Sequence, residues 1–512
     1  VWWLAAIPLA FLAALLVFPL GVLLWQGFSL EVLGSTLQNP YYQGRLLWTL
    51  EQAVISTLLT VLLGVPAAVV FARYSFQSKR LLEAVLTLPF VVPVIVAAIG
   101  FLTLFGPHGL TGLNLFRTPW LILMANVFFN YALVVRIVSS HLSSVGPRYE
   151  EAARVLGSNP VRAFWRVTLP IAAPSILAAS ALVFLYTFAS FGVPLTLGAG
   201  RFNTLEVEVY TLVANQLKLP EAGALTLLQF IITMIATVLY TRAQSRSSLT
   251  LELNTIRSRA RGLSRLWLGL NIVLALTVTL VPLMAVVARS FVGLDGLTLS
   301  NYVRLFAPSK SVFVSSVSDA VRNSVAFGFG TLLIAVPLGL ICALAIWRTR
   351  SRALDVFSLL PLTVSSALLS VAYLVAYPAF RASLLILLGA YTLVAYPFVT
   401  RNALTALRTL PPGTLEAARV LGSGPWRAFW RVTLPLIAPA LSTGMAFAFA
   451  SVIGEFGATL VLSRPEWTTL SGAIYERLGR PGLLGEATAL ATLLLVLTVL
   501  GFLGLDRLRS NR

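Results

Sequence analysis

Twelve stretches of about 20 predominantly apolar residues follow one another along this chain, each long enough to cross a bilayer as a helix. They fall near 2–25, 49–72, 82–105, 119–139, 172–197 and 222–242, then near 266–289, 323–347, 354–378, 383–400, 437–462 and 484–505. Such stretches admit few folds. Hydrocarbon offers no partner to a backbone N–H or C=O, so only helices or closed barrels can span it. The chain reads as an all-α integral membrane protein with about 12 transmembrane helices. Composition agrees, with 58% of the 512 residues hydrophobic and 11% charged, against about 25% charged in a soluble domain. Several spans carry proline (Pro19, Pro66, Pro93, Pro194, Pro282, Pro337), which bilayer helices tolerate when neighbours satisfy the freed carbonyls.

The 37 Lys and Arg divide unevenly between alternating loops, 25 on one side and 12 on the other. The positive-inside bias places the richer side, and with it both termini, in the cytoplasm. A net charge of +19 spread over short loops in this way serves orientation and headgroup attraction, and excludes a nucleic-acid partner. The first apolar run is too long for a signal peptide and lacks a small-x-small cleavage site, so it reads as a true span. A start at Val1 rather than Met points to a missing native leader. Cys342 is the one cysteine, and His108 and His141 are the only histidines. An intramolecular disulfide is excluded, and neither a metal cluster nor an intramembrane catalytic site is supported. His141, beside Ser139 and Ser140 at a span end, reads as structural.

Residues 151–170 read EAARVLGSNPVRAFWRVTLP and residues 416–435 read EAARVLGSGPWRAFWRVTLP. Eighteen of these 20 positions match at an offset of 265, which also relates Phe191-Gly192 to Phe456-Gly457, Thr204-Leu205 to Thr469-Leu470, and Tyr210 to Tyr475. The chain is therefore two homologous six-span halves, 1–242 and 266–512, joined by a basic linker at 243–265. Each repeated loop follows the fourth span of its half on the same side, so the halves are parallel rather than inverted.

Within the loop, Pro147 to Leu156 reads as a short helix with Glu150 and Glu151 in its first turn, and Gly157 supplies a left-handed stop. Asn159 caps a second helix with Pro160 at its first position; Gly422 and Gly424-Pro425 repeat the scheme. This predicts a helix–turn–helix elbow outside the bilayer that exposes aromatics and arginines. Interfacial anchoring to lipid is the plainer reading. It constrains residue class only, and does not demand Glu-Ala-Ala, Gly and Leu-Pro in one register, so a docking surface is the better reading.

Glu151-Ala152-Ala153, Gly157 and Leu169-Pro170, repeated as Glu416-Ala417-Ala418, Gly422 and Leu434-Pro435, resemble the EAA loop of permease subunits of binding-protein-dependent ABC importers. The resemblance covers essentially the whole chain and implies the type I importer permease fold. It implies that both loops are coupling elements for two ABC ATPase subunits, that an extracytoplasmic binding protein delivers substrate, and that the location is a bacterial cytoplasmic membrane. The chain itself holds no G-x-x-x-x-G-K-[ST] phosphate loop, since none of Lys79, Lys218 and Lys310 follows glycine. It is therefore expected to be no enzyme, with no cofactor of its own and with ATP and Mg²⁺ bound by the partners. Arg154, Arg162, Arg166, Arg419, Arg427 and Arg431 are available to acidic ATPase residues or to lipid phosphates. A major-facilitator transporter also has two parallel halves, but residues 73–83, RYSFQSKRLLE, lack its acidic-basic loop.

Fusion of both halves resembles the subgroup with thiamine and ferric-iron permeases. Residues 127–130, 188–191 and 453–457, with the outer segments 204–210 and 469–475, are closer to the thiamine branch. Glu455, an ionisable residue in an apolar span opposite Ser190 of the other half, is a candidate for facing a cationic substrate. The alternative is structural, by pairing with a neighbour. Asn126, Asn130 and Gln229 are further pathway candidates, with interhelical hydrogen bonding as the alternative.

Overall fold

The computed structural model describes residues 3–146, 148–247, 262–293, 296–306, 315–381, 383–411, 413–462, 464–480 and 482–507. Most of the expected linker, 248–261, and Pro147 lie outside them. Ten helices among the described residues are long and apolar enough to cross a membrane, and two bent pairs bring the spans to 12. In chain order these are Leu4–Gln26, Pro40–Arg73, the pair Leu81–Val91 and Val94–Phe105, Pro119–Val145, Pro160–Phe188 and Leu219–Arg242. The second half repeats them as Ser264–Ser290, Val317–Thr349, the pair Arg352–Leu362 and Ser366–Ala376, Leu384–Arg408, Pro425–Ile453 and Leu484–Arg507. We number them spans 1 to 12.

Four spans depart from the straight helices expected. Span 3 bends by 103° and span 9 by 92°. At the first bend Val92 and Pro93 are extended, since a residue before proline is pushed out of the α region. At the second, Ser365 is extended and its Oγ accepts the Leu368 N–H at 3.1 Å, so a cap restarts the helix. Spans 5 and 11 stop at Phe188 and Ile453 rather than running to 197 and 462. Short helices Gly192–Leu197 and Gly457–Leu462 follow, and their leading glycines press against the bends. A Cβ on Gly192 would lie 2.9 Å from Val94 Cγ1, and one on Gly457 would lie 2.8 Å from Ser366 Oγ.

Prolines elsewhere are absorbed. Pro66, Pro282 and Pro337 stay inside continuous helices. Span 1 makes a π turn over Ala13–Val17 just before Pro19. The carbonyls of Ala14 and Leu15, which the missing Pro19 N–H cannot serve, accept the hydroxyls of Tyr377 and Tyr373, both at 2.6 Å. Those tyrosines belong to the second half, so span 1 is bound across the molecule. Span 7 reciprocates on span 3, where Gly100 lets its backbone meet the Pro282 carbonyl, 2.3 Å from a built Cβ. Each half thus lends its first span to the other.

Candidate functional site

Both elbows are built as their residues require. Helix Arg148–Val155 ends at Gly157, whose φ is +86°. Ser158 N–H reaches back to the Ala153 carbonyl at 3.0 Å, closing a Schellman-type stop. Asn159 Oδ1 accepts the Arg162 N–H at 2.7 Å and Pro160 opens the next helix. In the second copy, helix Thr414–Val420 ends before Gly422, φ +76°, and Ser423 N–H reaches the Ala418 carbonyl at 3.0 Å.

The second limb of each elbow leads straight into the next span, through π turns at Phe164–Thr168 and Phe429–Thr433. Pro170 and Pro435 lie one residue inside the helices that follow. The extra residue per turn accommodates a proline that lacks the N–H and crowds the preceding carbonyl. Each elbow is therefore mechanically continuous with span 5 or span 11.

Glu151, Ala152, Glu416 and Ala417 are exposed, Ala153 is half-buried and Ala418 buried. Leu169 and Leu434 are half-buried, with Pro170 and Pro435 exposed. At the tips, Val155 and Leu156 are both 87% exposed, and Val420 and Leu421 are 86% and 84% exposed. Trp165 and Trp430 flank them, also exposed. The two elbows thus present matching exposed apolar tips. Arg154, Arg162, Arg166, Arg427 and Arg431 are exposed around them; the Arg419 side chain lies outside the described residues.

The elbows are fastened unequally. Glu150 pairs with Arg73 at the end of span 2, and Thr168 Oγ1, which accepts from Arg73 at 2.7 Å, donates to Glu150 at 3.3 Å. A cavity of about 150 Å³ lies beside this knot. In the second half Leu415 stands where Glu150 does. There Asp355, in the first turn of span 9, holds Arg401 and Arg408 of span 10 at 2.7 and 3.0 Å. These contacts gather the Lys/Arg-rich loops on the side of the elbows.

At the far ends of spans 5 and 11 the halves meet through rings. Phe191 and Phe456, equivalent at the repeat offset, lie 6.4 Å apart between centroids, and both are buried. Tyr210 flanks Phe191 at 5.5 Å and Tyr475 flanks Phe456 at 5.2 Å. The tyrosines sit on helices Leu205–Ala214 and Leu470–Leu478. Each of these helices is pinned at its first N–H, Leu205 to Thr49 Oγ1 at 3.0 Å and Leu470 to Ser324 Oγ at 2.8 Å. The result is a four-ring closure on the pseudo-two-fold axis.

Beside it, Glu455 Oε1 accepts from Ser366 Oγ at 2.7 Å and from the Ala458 N–H at 3.0 Å. Gln229 Nε2 donates to Glu206, which also accepts from Ser365 Oγ. Glu455 and Gln229 are thus brought to one place, the bend of span 9. Ser190 stands at the opposite break, its carbonyl accepting from Thr204 Oγ1 at 3.0 Å. Asn126 and Asn130 bond within the first half instead. Asn126 Nδ2 donates to Gln52 Oε1 and Ser56 Oγ at 2.9 and 3.0 Å, and Asn130 donates to the Asn126 carbonyl at 2.9 Å. His141 Nε2 donates to the Ile171 carbonyl at 3.1 Å.

The family model of the inner membrane component of binding-protein-dependent transport systems matches residues 60–247 and again 335–510, and each match contains one elbow and one half of the ring closure. This chain belongs to that family. It is a permease subunit of an ABC importer, embedded in a membrane by multiple spans. It is 27% identical over 450 residues to y4fN of Sinorhizobium fredii, named as a probable ABC transporter permease, covering 80% of this chain and 78% of that one. The thiamine transport system permease protein ThiP of Brucella abortus is 27% identical over 490 residues, 91% of this chain and 87% of its own. The molybdenum transport system permease protein ModB of Mycobacterium tuberculosis is 33% identical over 186 residues, 34% of this permease and 70% of ModB.

Reading by residue type missed Glu206, Ser365 and Ser366. Glu206 sits in the run Leu205-Glu206-Val207-Glu208-Val209 between spans, where a carboxylate reads as a solvated face. Its repeat partner is Ser471; the exchange of charge between otherwise matching positions was the available signal.

Proposed function

We propose that this permease imports thiamine, driven by two ABC ATPase subunits that dock on the two elbows and bind ATP and Mg²⁺. In this reading the Lys/Arg-rich side carrying the elbows faces the cytoplasm, both termini lie there, and an extracytoplasmic binding protein delivers substrate to the ring closure. The pair of exposed apolar tips, Val155-Leu156 and Val420-Leu421, carries the coupling part. Each elbow runs on into the span that ends at Phe188 or Ile453, three residues before Phe191 or Phe456, so displacement of an elbow has a direct route to the closure.

For the substrate, support comes from the ThiP relatives, which align across both halves. Glu455 and Glu206 beside the axis suit a cation such as thiamine. Uptake of labelled thiamine into proteoliposomes with the cognate ATPase and binding protein tests this, with ferric ion in parallel. Saturable thiamine uptake is expected. Uptake of ferric ion alone would reject thiamine and leave the permease architecture standing.

A further inference from the structure

In a two-fold molecule the departures from symmetry locate what only one side does. Around the closure, Leu205/Leu470, Tyr210/Tyr475, Phe191/Phe456 and Gly192/Gly457 match in kind at the repeat offset, whereas 190/455 is Ser/Glu and 206/471 is Glu/Ser. This exchange gathers both carboxyl groups on one edge. Glu206 of the first half accepts from Ser365 Oγ, and Glu455 of the second half accepts from the adjacent Ser366 Oγ at 2.7 Å. On the mirrored edge the residues before and at the restart of span 3 are Pro93 and Val94, which offer no side-chain donor. Ser471 there is fully buried and its Oγ has no partner among the described residues.

We propose that Glu206 is a positioning residue for transport, acting through Ser365 to tie the bend of span 9 to helix Leu205–Ala214 and hold the ring closure shut. The tie crosses between halves, so the closure cannot part on this edge while it holds. Glu206 is 1% exposed, and a carboxyl group so buried is costly without its donors, here Ser365 Oγ and Gln229 Nε2. Parting the halves admits water, which replaces the serine as donor. A bond required when closed and dispensable when open biases the equilibrium toward closed. The untied edge, with Pro93, Val94 and Ser471, is the one free to hinge.

This inference rests on the ring closure being the gate of the permease, and not on the identity of the substrate. The test uses the complete importer in proteoliposomes, without nucleotide. A Cys342→Ser chain carries Val193→Cys, a position 3% exposed beside the rings, as the reporter for a membrane-impermeant maleimide. Glu206→Ala and Ser365→Ala should each speed labelling about three- to tenfold, the scale of one buried hydrogen bond. The double variant should fall short of the sum of the two singles, because the one bond between the halves is lost in all three, whereas Gln229 loses its partner only with Glu206 and the Leu368 N–H only with Ser365. Ser365→Thr, which keeps the hydroxyl, should restore the slow rate, and Ser471→Ala should leave it unchanged. Should Glu206→Ala fail to insert, Glu206→Met, close in volume and without effect on the Ser365 cap of Leu368, takes its place beside the Ser365 variants. Wild-type labelling in the single variants, additive effects in the double, or an equal rise in Ser471→Ala would overturn the latch. Failure of thiamine uptake with these labelling results intact would reject only the substrate.

Discussion

At Glu455 one side chain has two tasks. Its carboxylate holds the N–H of Ala458 and the hydroxyl of Ser366, so it caps helix Gly457–Leu462 while standing beside the rings on the axis. Glu455→Gln keeps an oxygen for both donors and removes the charge, which separates the tasks. A pathway role predicts a rise in KM for a cationic substrate of about three- to tenfold with the protein fully inserted, as a lost charge contact weakens binding. Unchanged kinetics would leave the residue as a cap alone. The asparagines of span 4 show how residue identity misleads: Asn126 is as polar as any pathway ligand, yet its amide is committed to Gln52 and Ser56 within the first half. Polarity in a bilayer signals a partner, and only the fold tells whether that partner is protein or cargo.

Among elements, the elbows were the most legible, because caps and stops are local. Gly157 and Gly422 take the left-handed conformation that their place after an apolar turn demands, and Asn159 caps as its spacing implies. The bends of spans 3 and 9 were not legible. Pro93 and Ser365 break the helices locally, but neither announces a break within an apolar run, since Pro66, Pro282 and Pro337 stay inside continuous helices. The packing of Gly454 on Pro93, with its built Cβ 3.0–3.1 Å away, and the bond of Ser366 to Glu455 are tertiary. The end of span 5 at Phe188 was hidden likewise, since Phe191 to Leu197 continues the apolar run while turning onto the axis. A side chain at a φ of +86° or +76° costs about 1 kcal/mol, and the elbow stop distorts to relieve it. Replacing Gly157 and Gly422 together by valine is therefore expected to leave membrane insertion intact and to abolish substrate-stimulated ATP hydrolysis. Unaltered stimulation would show that the elbow stop has no part in coupling.

Over the whole molecule, two sequence halves make one interlocked body. Span 1 gives its proline-freed carbonyls to Tyr373 and Tyr377 of the second half, and span 7 packs its Pro282 carbonyl on Gly100 of the first. The halves are joined by shared struts, with elbows at one end of spans 5 and 11 and the ring closure at the other. The repeat announced this pairing from sequence; the exchange of first spans was invisible there because lipid-facing and protein-facing apolar surfaces use the same residues. The central claim is that force on the elbows opens and closes the axis. The most direct measurement is uptake of labelled thiamine into proteoliposomes holding the permease and binding protein, with and without the ATPase subunits, and with Val155, Leu156, Val420 and Leu421 intact or changed to serine. Uptake that requires both ATP hydrolysis and the apolar tips is predicted; uptake that persists without the ATPase, or with all four tips replaced, would contradict it.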